Sequence, residues 1–189
     1  MNYPQTPLHW ALAATSVAAL AFFAVRLTTY FERAPRPLWV MLVHYASLVL
    51  VLAQVAGIFL LEPRADPFVF SAIVLYVAAV VLFLSAIEAA KRTRLQRSFV
   101  DLPLPDRLIT DGPFGWVRHP FCAGYVMGAL AGALGIAHPI MPAVTAALSA
   151  IAVSAAIREE RVWLSGIRAD EYREYQKKTG MFIPFIGRR

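Results

Sequence analysis

Charge is scarce in this chain. Only 16% of its 189 residues are Asp, Glu, Lys or Arg, against about a quarter in soluble domains. Polar stripes at helical spacing are missing from its long apolar runs, which excludes a soluble bundle whose helices turn one face to water. There is one cysteine, Cys122, so no intrachain disulfide can form and the redox compartment is unread. No cluster of metal-ligating residues is present, and no metal is expected. Nothing basic precedes the first apolar run, and that run is longer than the hydrophobic region of a signal peptide, so it is expected to stay in the chain.

Apolar length is abundant instead. Hydrophobic residues make up 59% of the sequence and the mean hydropathy is +0.58. Runs near 20 residues, long enough to span a bilayer core, cover Leu8 to Phe31, Leu38 to Leu61 and Pro67 to Ile87. Two shorter ones, Phe121 to Ala137 and Pro139 to Ile157, are separated only by His138, with Pro139 opening the second. The pattern predicts an all-α integral membrane protein with about five transmembrane helices, the fourth and fifth forming a tight hairpin.

The basic residues are distributed unevenly around these runs. Arg64 alone lies in the connections that would share the side of the N-terminus. Sixteen Lys and Arg fall on the other side, including Arg33, Arg36, Lys91, Arg92, Arg94, Arg97, Arg107, Arg118 and eight in the C-terminal tail, with Arg26 inside the first run. The positive-inside rule then places the N-terminus outside and the C-terminus in the cytoplasm. The net charge of +6 becomes a collar facing anionic membrane lipids, which makes nucleic acid an unfit partner.

Two polar stretches, Glu88 to Pro120 and Arg158 to Arg189, are long enough to carry chemistry. With no repeat or low-complexity linker between them, a single domain over 1–189 is expected, with three N-terminal helices in 1–87 and the working region in 88–189. The first stretch breaks at Asp101 to Asp106 and again at Asp111-Gly112-Pro113, where Pro and Gly make ordered turns. In the tail, the fifth helix is expected to run to about Ser165-Gly166. A short helix should follow, with Asp170 as N-cap, a Glu174–Lys178 pair and Gly180 as the stop. Gly124, Gly128 and Gly132, at four-residue intervals, suit close packing in lipid. The Ala/Ser-rich fifth helix is the expected partner.

Arg118-His119-Pro120 stands at the mouth of the fourth helix. An arginine there can be a snorkelling anchor. A second polar group, however, lies at Arg158, Glu159 and Glu160, where the fifth helix leaves the membrane. In a hairpin the start of one helix neighbours the end of the other, so Arg118 and His119 should meet Glu159 and Glu160, near Tyr125, Tyr172 and Tyr175. Acids there suit an ammonium or sugar hydroxyls, and Arg and backbone N–H groups suit a carboxylate. The aromatic rings suit a base.

The motif G-P-F-x-x-V-R-H-P-x-x-x-G from Gly112 to Gly124 is followed about 40 residues on by the two glutamates, then D-E-Y-R-E-Y from Asp170 and a terminal I-P-F-I. This succession, over about residues 105 to 187, resembles the isoprenylcysteine carboxyl methyltransferase family and the related phospholipid methyltransferases. The first three helices match only in being hydrophobic. The resemblance implies a small membrane enzyme using S-adenosylmethionine. Gly112, Pro113, Val117, His119, Pro120 and Gly124 then belong to the cofactor loop, Glu159 and Glu160 are its paired acids, and Tyr172 and Tyr175 its tyrosine pair, with Tyr125 close by. Pro184 matches the terminal proline. Arg118 and Lys178 are assigned to charge recognition at the reacting centre. The sequence departs from the family at Cys122, where tyrosine is usual, and at Ile167-Arg168-Ala169, where Phe-Gly is usual.

Methyl transfer from a sulfonium is an in-line displacement that depends chiefly on orientation. The implied activity is S-adenosylmethionine-dependent methylation of a lipophilic acceptor at the cytosolic membrane interface, with S-adenosylhomocysteine as product. Carboxylate O-methylation of isoprenylcysteine type leads, and a phospholipid amine or lipophilic thiol is the alternative. An NADPH-dependent reductase of sterol type, or a non-enzymatic protein whose collar binds headgroups, explains less of the motif spacing.

Overall fold

The computed structural model describes residues 6–30, 38–91 and 107–184, with side chains omitted for 26–30. Arg33, Arg36, Arg92, Arg94, Arg97, the Asp101 to Asp106 break and the last five residues lie outside the described residues. Among the described residues six α-helices form: α1 (Pro7–Tyr30), α2 (Leu38–Leu60), α3 (Asp66–Ala90), α4 (Pro120–Gly135), α5 (Ile140–Ser165) and α6 (Ala169–Lys178). Among the described residues there is no strand, only two isolated bridges.

Four helices, α1, α2, α3 and α5, are long and apolar enough to cross a membrane, and the protein is an all-α, multi-pass integral membrane protein. The fourth expected span is shorter than the others. At 16 residues, α4 is about 24 Å long, less than the roughly 30 Å of a bilayer core. Extended chain at Ile136 ends it sooner than Ala137. With 26 residues, α5 is about 39 Å long, and its final turns carry Glu159 and Glu160 past the apolar run.

The glycines of α4 pack elsewhere than the hairpin reading expects. Gly124 lies against the Ala79 carbonyl and Phe83 of α3, Gly128 against Phe23 of α1 and Tyr76 of α3, and Gly132 against Gln54 of α2. The thin face of α4 is therefore turned to α3, its most extensive neighbour, and to α1 and α2. Its opposite side meets α5. Periodicity identifies a small-residue face, but every neighbouring helix in lipid is apolar, so the pattern alone does not say which one fills it. Phe83 sits at the centre of this packing, fully buried, with the rings of Phe22, Phe23, Phe121 and Tyr125 at 4.8–5.8 Å. Deeper in the bundle, Gln54 Nε2 and Thr145 Oγ1 both donate to the Ala129 carbonyl, at 2.6 and 2.9 Å, tying α2 and α5 to α4.

Each end of α4 is clasped. At its C-terminal end the α2–α3 connection pairs antiparallel with Ile136: Arg64 N–H donates to Gly135 O and Ala137 N–H to Glu62 O. At its N-terminal end, Val117 pairs in parallel with Gly180. The two clasps lie at opposite ends of the bundle. They place the N-terminus of α1, where Leu12 meets Gly135, at the end opposite the C-terminal tail.

Candidate active site

The site begins with a turn that only a few residue types make. Gly112 has φ +57°, and a Cβ there would lie 3.2 Å from that of Ala89, so glycine is required by conformation and by the close approach to α3. Pro113 follows, and Gly112–Gly115 form one turn of 3-10 helix whose Phe114 is buried against Ala86 and Ala90 of α3. Pro120 opens α4, where its missing N–H has no helical partner to lose. His119 is the N-cap residue, but its side chain makes no capping bond; its ring is turned toward α5. Its carbonyl accepts from Ala123 N–H at 2.9 Å, so the third of the N–H groups at this helix start is already held by the helix itself.

Main-chain pairing fastens the tail to this turn. Gly180 N–H donates to Trp116 O, Arg118 N–H to Gly180 O and His119 N–H to Met181 O, at 2.8–3.2 Å. The residues between α6 and this pairing are therefore held in extended form. Gly180 acts in the pairing and is not the helix stop, since Thr179 already caps α6.

Within this frame the expected meeting of the two polar groups occurs. Arg118 Nε donates to Glu160 Oε1 at 2.8 Å, and its Nη1 donates to the carbonyls of Thr179 and Gln176. His119 Nε2 lies 3.2 Å from the same Glu160 oxygen, and Gln176 Nε2 donates to Glu160 Oε2 at 2.8 Å. All four side chains are buried. Charge-assisted bonds of this kind are short and strong, and they offset the desolvation of buried ions where several donors converge on one carboxylate, as three do on Glu160. Glu159 differs from its neighbour: its side chain is 54% exposed against 8% for Glu160, and its Oε2 stands 3.6 Å from His119 Nδ1. That is an ion pair but longer than a hydrogen bond. Burial works against a charged His119, yet the two carboxylates together outweigh it and raise its pKa from 6.5 to about 9. The imidazolium form fits the geometry, because both ring nitrogens face acids.

Several predicted residues take other places. Tyr172 stacks on Trp163 with ring centroids 5.6 Å apart, and Tyr175 donates its hydroxyl to the Phe114 carbonyl at 2.6 Å. Burial raises the pKa of both phenols, which keeps Tyr175 a donor; the pair braces α6 against α5 and the turn. Tyr125 packs on Phe23 and Phe83, whereas Cys122 faces Ala152, Ala156, Met181 and Phe182. Tyr125 therefore does not share the surroundings of Cys122, although it lies one helical turn away. Gly124 is held in the α3 contact. Lys178 is exposed and stands near Glu174, whose closer partner is Lys177 at 2.5 Å, in place of the expected i,i+4 pair. Asp170 lies in the first turn of α6 and pairs with Arg173; Arg168 occupies the N-cap position.

Sequence reading missed Gln176, Thr179 and the Gly180–Met181 pairing. A signal for Gln176 existed: Tyr172, Tyr175, Gln176 and Thr179 follow helical spacing on one face, and an inward amide needs a partner. The main-chain pairing leaves no such trace.

Fold and site together define a polytopic membrane protein with a buried, hydrogen-bonded charge cluster at one end of its bundle. Residues 67–170, more than half of the chain, match the family model described as phospholipid methyltransferase, and the chain belongs to that family. It is a methyltransferase of the membrane, acting in a family of lipid-type substrates. The matched span takes in α3, α4 and α5, so the kinship reaches further toward the N-terminus than the motifs suggested, and it ends before Tyr172, Tyr175 and Lys178. No curated protein and no solved structure matches the chain.

Proposed function

We propose that this protein transfers a methyl group from S-adenosylmethionine to a lipophilic acceptor at the cytosolic membrane interface and releases S-adenosylhomocysteine. The observation that carries the reading is the half-exposed carboxylate of Glu159 beside the buried ring of His119 at the start of α4, whose pKa the neighbouring acids raise to about 9. A zwitterion with an ammonium, a carboxylate and a ribose diol is complementary to that pair. Glu159 suits the ammonium or the hydroxyls, and His119 with the helix start suits the carboxylate. S-adenosylmethionine, once bound, supplies a methyl on a cationic sulfur. The turn from Gly112 through Val117 to Pro120 gives the pair a rigid mounting, and Tyr172 and Tyr175 support it from α6. Membership in a methyltransferase family agrees with this chemistry.

The acceptor is a lipid that reaches the site from the bilayer. A carboxylate of isoprenylcysteine type needs a cation to receive it. Arg118, the residue expected to do so, is engaged with Glu160 and two carbonyls, while Lys178 faces solvent. The family's description favours a phospholipid, so a phospholipid amine is the second reading and the better supported of the two acceptors. Titration of the purified full chain in detergent with S-adenosylmethionine should give saturable binding; its absence overturns the proposal. Transfer of labelled methyl into vesicles containing phosphatidylethanolamine, or into an isoprenylcysteine analogue, separates the acceptors.

A further inference from the structure

Glu159 and Glu160 are adjacent in sequence and both reach His119, yet they stand in different surroundings. Glu160 receives three donors from three residues: Arg118 Nε at 2.8 Å, His119 Nε2 at 3.2 Å and Gln176 Nε2 at 2.8 Å. A carboxylate offers about four lone-pair sites, so little of Glu160 is left for a ligand, and its side chain is 8% exposed. Glu159 is 54% exposed and, among the described residues, meets the Nδ1 side of the imidazole at 3.6 Å. The donor that completes the set around Glu160 is Gln176, which also accepts from Arg118 through its main-chain carbonyl.

We propose that the two acids divide the work: Glu159 is the carboxylate that meets the ligand's ammonium or hydroxyls, Glu160 is a buried anchor, and Gln176 is a positioning residue that holds Glu160 away from the ligand and so fixes the His119 ring. The methyltransferase reading enters only in naming the ligand as S-adenosylmethionine. With Oε2 engaged by Gln176, Glu160 presents Oε1 to Arg118 and His119, and the ring is oriented with Nδ1 toward Glu159. The groups facing His119 are Glu159 and Glu160 from α5, Arg118 from its own turn and the Phe182 ring from the tail, 6.0 Å between centroids.

Two measurements on the full chain in detergent test this separately. The first follows His119 in ligand-free protein by ¹⁵N-histidine spectra, assigned among the four histidines with His119→Asn. Gln176→Leu removes the donor to Oε2 at similar volume, so Glu160 should lean harder on His119 and the ring should lose its proton at higher pH than in the parent. Glu160→Gln should move that loss to lower pH. A Gln176→Leu titration that coincides with the parent's makes Gln176 a packing residue and overturns the positioning role. The second measures affinity for S-adenosylhomocysteine alongside melting. Glu159→Gln should weaken binding about tenfold, the scale of one charge-assisted hydrogen bond, with melting close to the parent's. Glu160→Gln should melt clearly lower, because Arg118 loses its buried counter-charge. Glu160→Gln melting with the parent and losing as much affinity as Glu159→Gln overturns the division. A parent that fails to bind S-adenosylhomocysteine overturns the choice of ligand, while the histidine titration still decides the part played by Gln176.

Discussion

At the scale of the residue, His119 links the turn to the helix end, with one ring nitrogen toward each of two carboxylates. Its pKa is about 9 in the fold and about 6.5 in an unfolded chain. A raised pKa contributes stability that is fully present below pH about 6.5 and is lost as pH rises through about 9. Melting of the detergent-solubilised chain is therefore expected to fall across that window, and His119→Gln to remove that part of the fall. A variant that repeats the parent's slope contradicts the assignment. Ligand binding reads the same side chain in another way. Both S-adenosylmethionine and S-adenosylhomocysteine carry the carboxylate assigned to His119, so His119→Ala should raise both dissociation constants about tenfold, as for one charge-assisted hydrogen bond. Equal affinities in variant and parent would make the stretch a membrane-anchoring turn.

At the scale of the element, α4 is a short helix made thin on one side. Its glycines are not equivalent. A Cβ at Gly132 would fall within the Gln54 side chain, whose amide holds Ala129 O, while a Cβ at Gly128 would meet nothing nearer than 3.8 Å. Gly132→Ala is expected to push Gln54 off its carbonyl and cost about 1–3 kcal/mol, in the range of overpacked cores. Gly128→Ala should be tolerated. Thermal melting of the two variants in the same detergent measures the contrast, and equal melting would show that α4 does not sit against α2 in this way. The matched span includes α3, which supplies the surface against which Gly124 of α4 fits.

At the scale of the whole molecule, the clasp at Pro63 and Ile136 and the clasp at Val117 and Gly180 mark the two ends of the bundle. Sixteen basic residues against one lead us to expect the Val117 end in the cytoplasm. Reporter fusions after Arg64 and after Arg189 should then report opposite sides, outside and cytoplasmic respectively, and identical sidedness would overturn this arrangement. A site at the cytoplasmic end suits the proposed reaction, since a hydrophilic methyl donor arrives from the cytosol and a lipid acceptor from the bilayer.

Composition and run length alone determined the membrane class and the long helices, because a bilayer imposes one length and one polarity on whatever crosses it. The meeting of Arg118 and His119 with Glu160 was equally legible: a four-residue connection between α4 and α5 leaves the outer ends of the two helices no choice but to be neighbours. Tertiary structure decided the rest. Glu159 and Glu160 read as a pair in sequence, but adjacent helical positions point about 100° apart, so one turned into the bundle and the other to its edge. The glycine face of α4 was visible, whereas its partner α3 depended on which apolar surface offered the closest fit. Gln176 and the Gly180–Met181 pairing entered the site through a helix face and main-chain hydrogen bonds, and the main chain carries the same donors and acceptors whatever the sequence.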